Sequence, residues 1–254
     1  MYHPFNVLIL MAAALFVGLP VLFAQSGAGT QPNLSGVWMR GRDGGAFGKE
    51  LPPMRADAKR VFEENRRGQE PGRDEGLDEL DPSIYCLPHG TPRAYTVNYP
   101  FEIIPLPDRV HILYETSLMR RRIFLDGRKM PENYPLTYMG FSSGRYDGDT
   151  LVVETTGLDD ATWIDGRGIP HSAALQLTER FRRAAPSTLE IDFRFEDPTT
   201  FTSPWAAKLS FGLQPAMEIM EHIGYCEDRF RYNNEKKVFR GTVDWQSPEQ
   251  AIGR

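Results

Sequence analysis

Residues 171–195, HSAALQLTERFRRAAPSTLEIDFRF, constrain the fold more than any other stretch of the chain. Two runs of alternating polarity flank a short Ala-Ala-Pro-Ser turn, the pattern of a β-hairpin with one buried face. Leu175, Leu177, Glu179 and Phe181 share one face of the first run, and Leu189, Ile191, Phe193 and Phe195 share one face of the second. The opposite face carries Thr178, Arg180, Arg182, Glu190, Asp192 and Arg194, an opposite-charge ladder suited to water. Glu179 breaks the apolar row. A carboxylate there is expensive to bury, so it requires a cationic partner, a raised pKa or a chemical role.

The same alternation recurs along the chain. Asn33-Leu-Ser-Gly-Val-Trp38 sets Leu34, Gly36 and Trp38 on one face, and a Gly-x-Trp opening the first strand is similar to the aromatic plug that closes the base of lipocalin-like barrels. Short strands are expected at 100–105, 109–116, 121–125, 140–146, 150–156, 205–213 and 217–226, with Asp-Gly127 and Asp-Gly148 as hairpin turns. Between Arg40 and Asp81 lies a Gly- and Pro-rich insertion whose one regular element is an amphipathic helix over 54–67, with Met54, Ala58, Val61 and Phe62 on its apolar face. About nine strands in sequence order leave two exposed edges unless the sheet closes. The expected fold class is therefore mainly β, an antiparallel meander closing into a lipocalin-like β-barrel, with one short helix and long loops near the N-terminus.

Residues 7–24, VLILMAAALFVGLPVLFA, form an uncharged apolar run placed and sized as a secretory signal peptide, with cleavage after Ala24 or Ala28; a retained N-terminal anchor is the alternative. This divides the chain into a signal peptide over 1–24, a linker over 25–32, one barrel domain over 33–232 with its insertion at 40–81, and a polar tail over 233–254. The expected location is periplasmic or secreted, with no membrane association after cleavage. The leader carries no charge, so the mature chain keeps all 29 basic and 34 acidic residues, a net charge of −5 that gives no reason to expect nucleic acid as a partner. The two cysteines, Cys86 and Cys226, are expected to form a disulfide in an oxidising compartment. Closing so long a loop constrains the unfolded chain by roughly 4–5 kcal/mol.

Several segments together, Leu34-Ser-Gly-Val-Trp38, Cys86-x-Pro-x-Gly-x-Pro-Arg93, Pro100-Phe-Glu-Ile103, Gly144-Arg-Tyr-Asp-Gly-Asp-Thr-Leu-Val-Val153, Pro170-His-Ser172, Glu179-Arg180 and Asp197-Pro198, resemble an uncharacterised family of secreted bacterial proteins. The resemblance implies an envelope location and a β-barrel. It implies no catalytic assignment.

Symmetric closure of each hairpin about its turn places Phe181 opposite Leu189, Glu179 opposite Ile191, Phe193 opposite Ala207, Phe195 opposite Trp205, and Ala207 opposite Glu221. Glu179 and Glu221 then lie on one concave face within an apolar wall, the usual composition of a small-molecule site. The competing reading makes either one a structural ion-pair partner, for instance of an inward arginine from Arg120-Arg121-Arg122. His171, at the mouth of the hairpin near Asp159, Asp160 and Asp165, is a candidate general acid or base alongside Glu179. Arg93 and Tyr95, with Trp163, Phe193 and Trp205, are the further candidate ligand contacts. His111 falls on the polar side of its strand beside Arg109 and is set aside. No HxH, HExxH, GxSxG or phosphate loop occurs, so neither a metal nor a cofactor is expected. The leading functional expectation is a barrel that binds a small, largely apolar or aromatic ligand in its interior. The alternatives are a metal-independent isomerase, cyclase or lyase using His171 and Glu179, and a structural envelope protein; the oligomeric state is left open.

Overall fold

A computed structural model describes residues 31–41, 45–67, 81–85 and 87–220, together with the backbone of 232–233 and 238–239. Residues 1–30, Cys86, Glu221, Cys226 and most of the C-terminal tail lie outside the described residues, and with them the expected signal peptide and disulfide.

Nine strands form a closed barrel in sequence order: β1 (Gly36–Met39), β2 (Phe101–Pro105), β3 (Arg109–Tyr114), β4 (Arg120–Phe124), β5 (Phe141–Asp147), β6 (Thr150–Thr156), β7 (Gln176–Ala185), β8 (Thr188–Glu196) and β9 (Trp205–Leu213). β9 pairs directly with β1, Trp38 lying opposite Leu213. The strand expected over 217–226 is absent from its described part, since 217–220 pair with no strand and β1 occupies the edge of β9 instead.

The ring has a parity constraint. Strand direction cannot alternate all the way around a closed ring with an odd number of strands, so one junction must be parallel. It falls between β4 and β5, which meet through Ile123–Ser142 and Phe124–Ser143, while every other neighbouring pair in the ring is antiparallel. The expected Asp-Gly127 hairpin is therefore overturned. Gly127 does turn the chain at φ 73°, but a long crossover follows and β5 enters in the same direction as β4. At Asp-Gly148, by contrast, Gly148 at φ 60° joins β5 to β6 as a true hairpin.

Alternation determines what fills the barrel. Trp38, Phe101, Ile103, Val110, Ile112, Tyr114, Ile123, Leu151, Val153, Leu177, Phe181, Leu189, Ile191, Phe193, Phe195, Leu209 and Phe211 are all buried in one core. Trp38 is fully buried in this core, donating from its indole nitrogen to the Leu34 carbonyl at 3.0 Å, with the Arg183 guanidinium over its ring. In the central hairpin the faces are as expected but the partners differ. A bulge between Arg183 and Ala185 and a tighter turn at Pro186-Ser187 set Phe181 opposite Ile191 and Glu179 opposite Phe193, two residues from the symmetric register. A slip of two preserves the face, which is why Glu179 still points inward.

The insertion packs over this core. The helix α1 (Ala56–Arg67) buries Phe62 and is anchored where Asn65 Nδ2 donates to the Gly168 carbonyl at 2.8 Å. Phe47, ahead of it, meets Phe193 and Phe195 edge to face at 4.9 and 5.1 Å, and its amide donates to Asp165.

Candidate functional site

Inward residues of β4, β5, β6 and β7 carry a polar group through the apolar lumen. On β4, Arg121 points in between the outward Arg120 and Arg122 and reaches across to Glu179 on β7, whose two oxygens accept from its two terminal nitrogens, one at 2.8 Å. The side chains are 1% and 0% exposed. Arg121 Nη1 also donates to Tyr95 Oη at 2.9 Å, Nη2 to Thr155 Oγ1 at 2.6 Å and Nε to Ser142 Oγ at 3.0 Å. All five guanidinium donors are engaged, so the buried cation is paired and saturated. Burial works against the charge of Arg121, but Glu179 and the neighbouring phenols outweigh it and hold its pKa well above the ordinary value. Of the two roles the sequence leaves to Glu179, this is the geometry of an ion-pair partner.

Tyr95 comes from a 3₁₀ turn, Arg93–Tyr95, between β1 and β2, yet its ring lies in the middle of the lumen. Phe101, Tyr114, Phe181, Phe193 and Phe211, from five different strands, surround it at centroid distances of 5.4–6.3 Å. Burial and the Glu179 charge push its hydroxyl pKa well up, and burial takes that of Tyr114 to about 12. Both phenols are neutral at physiological pH.

Arg93, beside it, forms a two-point pair with Asp81, 2.6 Å through Nη1, and lies 5.2 Å from the Trp163 ring. Burial raises the Asp81 carboxyl, but Arg93 more than compensates and its pKa is lowered. Two sequence-predicted ligand contacts, Arg93 and Trp163, thus meet each other. Trp205 stacks flat on Phe195 at 3.9 Å, and Phe193 is packed between Phe47 and Tyr95.

His171 is buried in the loop before β7. Its Nδ1 faces the Ser172 carbonyl at 3.1 Å and must carry the proton, leaving Nε2 to accept from Thr162 Oγ1 at 3.2 Å. Desolvation lowers its pKa against the opposing pull of the Ser172 carbonyl and Asp197, so the ring is neutral. Ser172 in turn donates from its amide and hydroxyl to Asp197 at 2.7 and 2.8 Å, which joins the Pro-His-Ser and Asp-Pro segments in one turn structure. Among the described residues no hydrogen bond or ion pair links His171 to Glu179.

The parallel junction is built differently. Beside the short β4–β5 contact a cavity of about 350 Å³ opens, lined by His111, Arg120, Arg121, Arg122, Phe124, Tyr134, Thr137, Met139, Gly140, Phe141 and Ser142. Its aromatic wall is ordered: Phe124 stacks on Phe141 at 5.4 Å and Tyr134 meets Phe141 edge to face at 5.3 Å. Gly140, at φ 63°, has no room for a side chain, since a Cβ there would fall 2.7 Å from the Thr156 carbonyl. Burial and the charges of Arg122 and Arg109 hold His111 below the usual histidine range. Sequence reasoning missed this site. The signal was the length of the Leu125–Gly140 connection, too long for a hairpin and long enough for a crossover to a parallel strand.

Among the described residues no helix is long and apolar enough to cross a membrane, and no group of three or more His, Cys, Asp or Glu side chains is placed to hold a metal. Compared with known proteins, the chain matches no family model and no curated sequence.

Proposed function

We propose that this protein is an exported β-barrel that binds a small, largely aromatic molecule, and that the ligand seats in the cavity at the β4–β5 junction rather than in the lumen. The observation that carries this reading is the cavity itself. It has the volume of small-molecule sites, near the lower end of about 300–1,000 Å³, and sets an aromatic wall of Phe124, Tyr134 and Phe141 against polar side chains that include His111, Arg120 and Arg122. The lumen, by contrast, is lined with rings in mutual contact around Tyr95. Export is supported by the apolar run over residues 7–24.

The test uses the neutral fluorophore N-phenyl-1-naphthylamine. Fluorescence enhancement on titration into the full-length mature protein should be saturable and should be lost in Thr137→Phe, which places a ring in the cavity. Saturable binding that is unchanged in Thr137→Phe would place the site elsewhere.

A further inference from the structure

The charge around the cavity is distributed unevenly. The chain is acidic overall, and its exposed arginines are mostly matched: Arg109 pairs with Asp108, Arg128 with Asp126, Arg145 with Glu154, Arg180 with Asp147, Arg182 with Glu190 and Arg194 with Glu196. Arg120 and Arg122 are different. Both point outward from β4 into the cavity, no acidic side chain lines it with them, and neither makes an ion pair among the described residues. Arg122 is held 5.8 Å from the Phe124 ring, a contact that orients a guanidinium without neutralising it. Arg121, between them in sequence, cannot serve a ligand, because Glu179 and three hydroxyls occupy all its donors.

We infer that the ligand is an aromatic oxyanion, its flat body against Phe124, Tyr134 and Phe141 and its carboxylate or equivalent acid group held by Arg120 and Arg122. This rests on the seam cavity being the binding site. Geometry supports the division of labour: the aromatic wall and the two guanidinium groups line the same cavity. Arginine is suited to such a head group because its planar donors match two oxygens at once. The neutral His111 adds one N–H donor and no charge.

Two matched probes separate this inference from the reading beneath it. Isothermal titration of the full-length mature protein with 2-naphthoate and with 2-naphthamide compares one ring system with and without its charge. The acid should bind about tenfold or more tightly than the amide, the gain expected of charge-assisted hydrogen bonds. The double variant Arg120→Gln/Arg122→Gln should bring the two probes to similar affinity, with the loss falling mainly on the acid. Both positions are solvent-facing, and an unchanged thermal midpoint would show that the fold is retained. Equal binding of acid and amide to the wild type overturns the inference and leaves the seam site standing. Retention of the acid preference in the double variant also overturns it. Binding of neither probe overturns both readings.

Discussion

The β7–β8–β9 wall and the β4–β5 junction belong to one sheet and differ in almost every physical respect. β7 and β8 pair from Gln176–Glu196 to Ala185–Thr188, and their outer face is a ladder in which Arg182 meets Glu190 and Arg180 lies opposite Asp192. β4 and β5 touch over two residues of each strand, run parallel, and leave unneutralised arginines at the gap. The difference teaches that openness in this barrel is placed by topology rather than by side-chain composition. An odd-stranded ring needs one junction that a hairpin cannot make, and the cavity lies beside it.

If the wall is the rigid half, the strongest way to break it is through the pair that ties it to β4. Glu179→Gln leaves a buried guanidinium without its counter-charge and should destabilise by about 3–5 kcal/mol in urea unfolding, with Arg121→Met costing a similar amount. Because the penalty is that of an orphaned charge, Arg121→Met/Glu179→Leu should recover much of it. A double variant no better than either single would show that the hydroxyl network around Arg121, and not the ion pair, provides the stability.

A smaller effect sharpens the contrast in dynamics. Native-state amide exchange should find the β7 and β8 amides opening with the global unfolding, while β5 amides beside the junction exchange about tenfold faster or more through local opening. Uniform protection across both regions would contradict the contrast.

The smallest effect is a pH dependence outside both regions. His171 has a lowered pKa when folded, so the unfolded chain binds its proton more readily. The stability this contributes is present above the unfolded value of 6.5 and is lost as pH falls through the lower folded value. His171→Asn should flatten the decline of the thermal midpoint just below pH 6.5. The side chains of Asp81 and Asp197, lowered from 3.8, contribute losses in a separate and more acidic window.

Much of the barrel is legible in the residues because a pleated strand forces i, i+2 alternation, and that signal survives errors of register by two. Leu177, Glu179 and Phe181 point inward whichever partner faces them. The inward Trp38 and the helix α1 were readable for the same local reason. The competing reading of Glu179 as the partner of an inward arginine from 120–122 was readable too, and Arg121 fills that role. Two features were not: the bulge at Arg183 shifts partners without changing polarity, and the direction of β5 depends on a count around the whole ring. Of the candidate site residues, Glu179, Tyr95 and Phe193 share the lumen, Arg93 and Trp163 share a second cluster, and His171 joins neither.

Tyr95 has a consequence for the space inside the barrel. Its phenol reaches the lumen from a connecting segment rather than from a strand, so the barrel carries a covalently tethered occupant already hydrogen-bonded to its central cation. A tethered group acts at an effective concentration on the order of millimolar or above, and a free molecule must outcompete it in addition to displacing its ring contacts. The interior is thereby filled by the chain itself, which is why the proposed ligand site is sought at the β4–β5 cavity and not in the lumen.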